Sequence, residues 1–120
     1  MLKVIDVSET PSENAAGGIF EGGTVSVKTL IDKHVGAKET KMAIVHFPPG
    51  ARTKMHVHNH EQILYVLSGR GVVANEQEEH IGTPGKVFLI HAGEKHWHGA
   101  TQESSFSHLY IFSSETETSH

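Results

Sequence analysis

Apolar and polar residues alternate over residues 24–31 (Thr-Val-Ser-Val-Lys-Thr-Leu-Ile) and again over 40–47, the period of two with which a β-strand sorts its faces. Pro48-Pro49-Gly50 closes the second run, a turn that no central strand could contain. Shorter strand-like runs follow at 54–58, 62–67, 71–74, 86–90, 96–100 and 105–112, with Ser68-Gly69 as a tight turn and 76–79 as a solvated tip. Residues 1–23, with glycines at Gly17-Gly18 and Gly22-Gly23, read as a short strand and then a surface loop. No window sustains a 3.6-residue apolar period, so helix should be minimal. Eight or more short strands at this spacing predict an all-β sandwich or barrel.

The chain's 120 residues suit one domain with a single core. Within it, 1–31 is expected to supply N-terminal strands that could serve as a dimer arm, 40–112 the core, and the polar, acidic stretch 113–120 a frayed tail. The apolar run Val87-Phe-Leu-Ile90 is far short of the roughly 20 residues a spanning helix needs. The N-terminus lacks the charged-then-apolar shape of a signal peptide, so a cytoplasmic protein without a membrane partner is expected. Without cysteine there is no disulfide, thiolate ligand or Cys nucleophile. A net charge of −4 with scattered basic residues leaves no footprint for nucleic acid.

Eleven histidines are the anomaly, and only His120 is terminal. His56 and His58 are two apart, so on a strand both imidazoles face the same side. His96 arrives from a distant apolar run, and Gln62 stands where a fourth ligand would be needed. These groups can converge only if the sheet curls on itself. His60 and Glu61 compete with Gln62. Strand parity separates Glu61 from Gln62 without choosing between them, since both have apolar partners.

Gly50-x5-His56-x-His58-x3-Gln62-x6-Gly69 resembles the first motif of the cupin superfamily, in which Glu usually stands where this chain has Gln62. Gly85-x5-His91-x-Gly93-x2-His96 resembles the second motif, with His91 for the usual Pro and Ala100 for the usual final Asn. The fifteen residues between them, 70–84, are the short spacing of small microbial cupins. The spacing to Gly69 favours Gln62 as the ligand. The strings Pro49-Gly-Ala-Arg-Thr, Gly93-Glu-Lys-His-Trp-His-Gly-Ala100 and Ser107-His-Leu109 are further similar to bacterial manganese cupins with hydroxynitrile lyase activity, in which three His and one Gln hold the metal.

The resemblance implies an all-β, double-stranded β-helix: a cupin jelly-roll barrel with one divalent ion per chain. His56, His58, Gln62 and His96 are the expected ligands. Imidazole and carbonyl oxygen suit Mn, Fe, Co, Ni or Zn, and only the resemblance favours Mn or Fe. Binding should weaken as the histidines protonate below roughly pH 6. A neutral His3Gln set leaves the ion its full charge as a Lewis acid. The implied reaction is cleavage of a cyanohydrin to a carbonyl compound and cyanide, with His108, or less so His98, as the base. Ala43, Val45, Tyr110 and Phe112 would line the pocket for this small-molecule substrate, and Trp97 should pack in the core. The alternatives are an iron-dependent cupin dioxygenase, a uronate-converting sugar cupin, and a non-catalytic metal-binding sensor. Small cupins generally pair through sheet edges, so a homodimer or homotetramer is expected.

Overall fold

The computed structural model describes residues 2–15 and 18–120; Met1, Ala16 and Gly17, the last belonging to the glycine-rich stretch noted above, lie outside the described residues. Helix is confined, among the described residues, to two single 3₁₀ turns, Val7–Glu9 and Lys33–Val35. Everything else regular is strand: β1 Glu13–Ala15, β2 Phe20–Glu21, β3 Val25–Ile31, β4 Thr40–Phe47, β5 Arg52–Thr53, β6 Val57–His58, β7 Gln62–Gly69, β8 Gly71–Asn75, β9 Glu79–Gly82, β10 Val87–Ile90, β11 His96–Ala100, β12 Phe106–Ser113 and β13 Thr118–Ser119. The strands form a six-stranded sheet in the order β1-β3-β4-β12-β7-β10, a five-stranded sheet in the order β2-β5-β11-β8-β9, and the small pair β13-β6. All pairings are antiparallel. This is the expected all-β, jelly-roll-like architecture.

Registers in the larger sheet arrange the interior in levels. Gln62 lies between Phe112 and Ile90, Leu64 between Tyr110 and Phe88, and His108 between Val66 and Val45. Phe106 then pairs with Phe47. Those two rings, both fully buried and 6.1 Å apart, close the far end together with Val25, Val66 and Ala100. Two glycines make that closure sterically feasible. Gly69 has φ +77° and passes against the Ser105 carbonyl, while a Cβ on Gly71 would enter the Phe106 ring. A side chain at either position would push the phenylalanine plug outward.

The opposite face of the same sheet is also apolar. Leu89, Ile63, Ile111 and Met42 form one cross-strand row, and Val87, Tyr65, Leu109 and Ile44 form the next. Val87 is 62% and Leu89 52% exposed. The runs are apolar on both faces, which is the pattern of a sheet covered on both sides.

Several expected boundaries move. The run at 54–58 is broken: β5 ends at Thr53, and His56 joins His96 through an isolated bridge before β6. β7 continues to Gly69, and in place of a tight turn at Ser68-Gly69 the chain crosses through Arg70 into β8 of the other sheet. β9 begins at Glu79 inside the expected tip, because its backbone pairs with Ala74 whatever its side chains prefer. Trp97 is not core: it is half-buried, with the Arg52 guanidinium 3.9 Å from its ring centroid. The N-terminal strands β1, β2 and β3 pair within the chain, which leaves residues 2–6, with Leu2 and Val4 over 80% exposed, as the described part of the expected arm outside the sheets. The expected frayed tail is instead tied down. Ser113 belongs to β12, Ser114 binds the Glu39 and Lys38 carbonyls, and β13 pairs with β6.

Candidate metal centre

His56, His58 and His96 come together at the open end of the barrel. One nitrogen from each lies within 4.8 Å of the others, and all three side chains are buried. The His56–His96 bridge sets this up, since each residue's N–H donates to the other's carbonyl at 2.9 Å. Ring centroids are then 4.2 Å apart for His56–His96 and 5.0 Å for His56–His58. His56 Nδ1 lies 2.8 Å from the Lys54 carbonyl and His96 Nδ1 2.9 Å from the Glu94 carbonyl. A carbonyl only accepts, so both rings carry hydrogen on Nδ1 and present a bare Nε2. His96 Nε2 is buried without a hydrogen-bond partner. Such an orphan atom is costly in a folded protein unless a ligand completes it.

Gln62 is buried on the inner face of β7, and its Oε1 stands 3.1 Å from His58 Nε2. Glu61 is exposed, and His60, half-buried, is outside the cluster. The fourth polar group at the mouth is therefore the amide oxygen. Three imidazoles, one of them unsatisfied, beside an amide oxygen make a donor set that fits a divalent transition ion.

Burial holds these imidazoles neutral. Desolvation lowers His56 and His58 from 6.5 to about 4 and lowers His96 as well; the neighbouring histidines push the same way. The expected loss of ligand character below roughly pH 6 is thus displaced to more acidic pH.

A cavity of about 190 Å³ opens onto His56, His58 and Gln62. Val27, Val45, Tyr110 and Phe112 wall it from the large sheet, Ile19 and Phe20 close one side, and His98 and Thr118 complete it. Val45, Tyr110 and Phe112 were expected there. Ala43 was too, but it does not line the cavity. Its cross-strand partner Tyr110 is the large side chain at that level, and Tyr110 meets the cavity in its place.

The two candidate bases exchange places. His108 faces inward as strand parity required, but it lies too deep: it is fully buried, packed on Phe47 and Phe106, and does not line the cavity. His98 does line it, and His108 Nε2 is 3.1 Å from His98 Nδ1. Desolvation holds His98 well below its ordinary range and His108 at about 3. The His98 backbone is fixed by its N–H donating to Thr53 Oγ1 at 3.1 Å. The sequence reading missed Thr53, Phe20 and Thr118. The glycines around Phe20 were the one available signal, since they mark a segment free to fold over a mouth.

Residues 43–112 match the family model described as a cupin domain. The chain belongs to the cupin family. It is 44% identical over 73 residues to an (R)-mandelonitrile lyase of Granulicella tundricola, a match that covers 58% of this cupin and 53% of that protein. This cupin spans about half the length of the curated relatives it matches. A cupin-like protein of Thermotoga maritima superposes with a TM-score of 0.82 at 32% identity, over 93% of this chain and 86% of that one. The polyketide cyclase RemF of Streptomyces resistomycificus gives 0.86 at 21% identity, over 97% and 82% respectively, and shares the fold.

Proposed function

We propose that this cupin is a metal-dependent lyase that splits a small α-hydroxynitrile into a carbonyl compound and cyanide. The observation that carries the reading is His98, a neutral imidazole at the cavity wall whose Nδ1 is engaged by His108, leaving Nε2 for a substrate. Its ring centroid is 5.5 Å from that of His56 and 5.8 Å from that of His96, so a group held at the three histidines is its neighbour. The partial identity to a mandelonitrile lyase supports the same reading.

His56, His58 and His96 through imidazole nitrogens, and Gln62 through Oε1, would hold one divalent ion, Mn or Fe in preference to Zn, Ni or Co. Bound there, the ion would supply Lewis acidity that favours loss of a proton from a substrate hydroxyl. When His98 Nδ1–H donates to His108 Nε2, the lone pair on His98 Nε2 faces the cavity and accepts that proton. The oxygen electrons become the second bond of the carbonyl as the carbon–nitrile bond breaks, and its electron pair leaves on cyanide. The proton held at His98 Nε2 then passes to cyanide, so hydrogen cyanide and the carbonyl compound leave together. His108 orients His98 and accepts the hydrogen bond that strengthens as His98 becomes charged. Phe20, Tyr110 and Phe112 would receive an apolar substituent and keep water from the reacting carbon.

The lining favours this reading over a uronate. A sugar asks for many hydrogen bonds to its hydroxyls, whereas beyond the ion site the described residues that line the cavity are mostly apolar: Ile19, Phe20, Val27, Val45 and Phe112. An iron-dependent dioxygenase is separated by assay. Mandelonitrile should give benzaldehyde and cyanide in equal amounts with the Mn-loaded protein and no oxygen uptake. No cleavage with either Mn or Fe would defeat the lyase, and oxygen uptake with Fe would establish the dioxygenase.

The proposal extends to assembly as a homodimer through the apolar outer face of the six-stranded sheet. From β10 to β4 its two cross-strand rows carry no charge, and Lys28 of β3 stands at the margin beside Ile44, so the centre of the face can meet a second copy without repulsion. At a strand spacing of about 4.8 Å, eight positions make an apolar centre of roughly 250 Å² in projection. The polar rim around it can complete the roughly 800 Å² per partner of a stable interface.

A further inference from the structure

Two of the three histidines at the mouth are held by the backbone two residues before them, through the carbonyls of Lys54 and Glu94. His58 is held from elsewhere. Its Nδ1 lies 2.8 Å from the hydroxyl of Thr118, sixty residues away in the chain. Its Nε2 lies 3.1 Å from Gln62 Oε1. An amide oxygen only accepts, so Nε2 carries the hydrogen and Nδ1 accepts from the Thr118 hydroxyl. That tautomer points an N–H, and no lone pair, at the other ligands. A hydroxyl can donate or accept. Rotation of one O–H bond at Thr118 therefore lets the ring hydrogen move to Nδ1 and frees Nε2, giving up only the hydrogen bond to Gln62 Oε1. The carbonyls that hold His56 and His96 allow no such exchange.

The segment that carries Thr118 is docked and not woven into the barrel. Ser114 anchors it to Lys38 and Glu39, after which it crosses to β6, where Thr118 pairs with His58 and Ser119 with Val57. Glu117 and Asn59 add one bond in each direction, the Glu117 N–H to Asn59 Oδ1 at 2.7 Å and the Asn59 N–H to the Glu117 carbonyl at 3.2 Å. The two-stranded pair it forms with β6 belongs to neither large sheet. Thr118 also lines the cavity.

We propose that Thr118 is the positioning residue for His58, and that docking of the C-terminal segment and binding of a divalent ion at the mouth reinforce each other. The hydroxyl holds the His58 ring in the plane that aims Nε2 at His56 and His96, and supplies the partner for Nδ1–H once Nε2 serves as a ligand. Linkage makes the effect reciprocal: whatever factor the docked segment adds to ion affinity, the bound ion returns to docking. The inference rests on the metal reading of the mouth and is independent of the lyase chemistry.

The test is Mn(II) titration of metal-stripped full-length protein, comparing the parent, Thr118→Val and Thr118→Ser. Loss of a group that orients a metal ligand typically weakens binding about 10-fold to 100-fold; the lower figure is expected for Thr118→Val, because Thr118 is exposed. Thr118→Ser keeps the hydroxyl and should bind within a few-fold of the parent. Amide exchange at 117–119 should slow when Mn(II), or diamagnetic Zn(II), is added. Histidine ¹⁵N spectra of the metal-free parent should show His58 with its hydrogen on Nε2. Parent-like affinity in Thr118→Val, equal loss in Thr118→Ser, or unchanged amide exchange would each overturn the proposal, and an ¹⁵N signature showing no hydrogen bond at His58 Nδ1 would do the same. A parent that takes up no ion defeats the metal reading along with it. A metal-replete parent inactive on mandelonitrile defeats only the lyase.

Discussion

His108 Nε2 stands 3.1 Å from His98 Nδ1, and of the two rings only His98 reaches the cavity. On the proposed reading His98 is the base and His108 backs it, wedged in turn against Phe47 and Phe106. His98→Ala should therefore lose roughly 10²-fold or more in mandelonitrile turnover, the scale of general-base removal. His108→Ala should lose less, about 10-fold, since it removes orientation and leaves the base. Both should keep the parent's metal content, measured by elemental analysis beside steady-state rates. A larger loss in His108→Ala than in His98→Ala would reverse the assignment.

Metal occupancy should follow the mouth. His56→Ala and His96→Ala should each lose most of the bound ion, and Gln62→Ala should weaken binding without abolishing it, since a neutral oxygen contributes less than an imidazole. Glu61→Ala, on the outer face, should leave occupancy unchanged. Elemental analysis after dialysis against a weak chelator measures all four.

The buried imidazoles also set an acid limit for the metal-free protein. His56 and His58 are lowered to about 4 and His108 to about 3, whereas in the unfolded chain they titrate near 6.5. Between those values the unfolded state binds more protons, so stability rises with pH. The contribution is fully present above about pH 6.5 and disappears as pH falls towards 4, with a slope of about 1.4 kcal/mol per pH unit for each histidine. Urea midpoints of chelator-treated protein between pH 7 and 4.5 should fall steadily. A flat profile would mean that the rings titrate in the fold as they do in the unfolded chain.

Light scattering should give twice the 13.1 kDa chain mass. Tyr65→Glu or Leu89→Glu, each placing a charge in the apolar outer face, should yield monomers that keep the parent's strand spectrum. A parent that runs as a monomer at micromolar concentration would mean that this face is covered by something other than a second copy.

The closed end should be the stability centre. Phe106→Ala removes a fully buried ring facing Phe47 and should cost about 3–5 kcal/mol in denaturant unfolding. Val87→Ala, on a residue 62% exposed, should cost far less in the monomer.

What the sequence disclosed follows from the range of the interactions involved. The strands at 40–47 and 96–100 match β4 and β11 because alternation and the Pro48-Pro49 stop are local signals. His56, His58 and His96 were visible as a set because their glycine frame fixes spacing along the chain. β9 was missed because its four residues are strand only by virtue of pairing with β8. Parity put His108 and Tyr110 on the inner face correctly, but parity has no depth coordinate. Which inward residue touches the cavity is decided by where the phenylalanine plug begins. Thr118 could not be found at all, because nothing local to a polar, acidic tail records that it crosses back to β6.

The cavity above the plug of Phe47 and Phe106 is lined by Ile19 and Phe20, the latter ring 6.1 Å from that of Phe47, and by Thr118. These three lie outside the 43–112 stretch that matches the cupin family model. The histidine-bearing floor and this part of the wall thus belong to different parts of the chain. An exchange at Ile19 would reshape that wall while the imidazoles and the plug stay as they are, so new selectivity is open to this chain without a redesign of its interior.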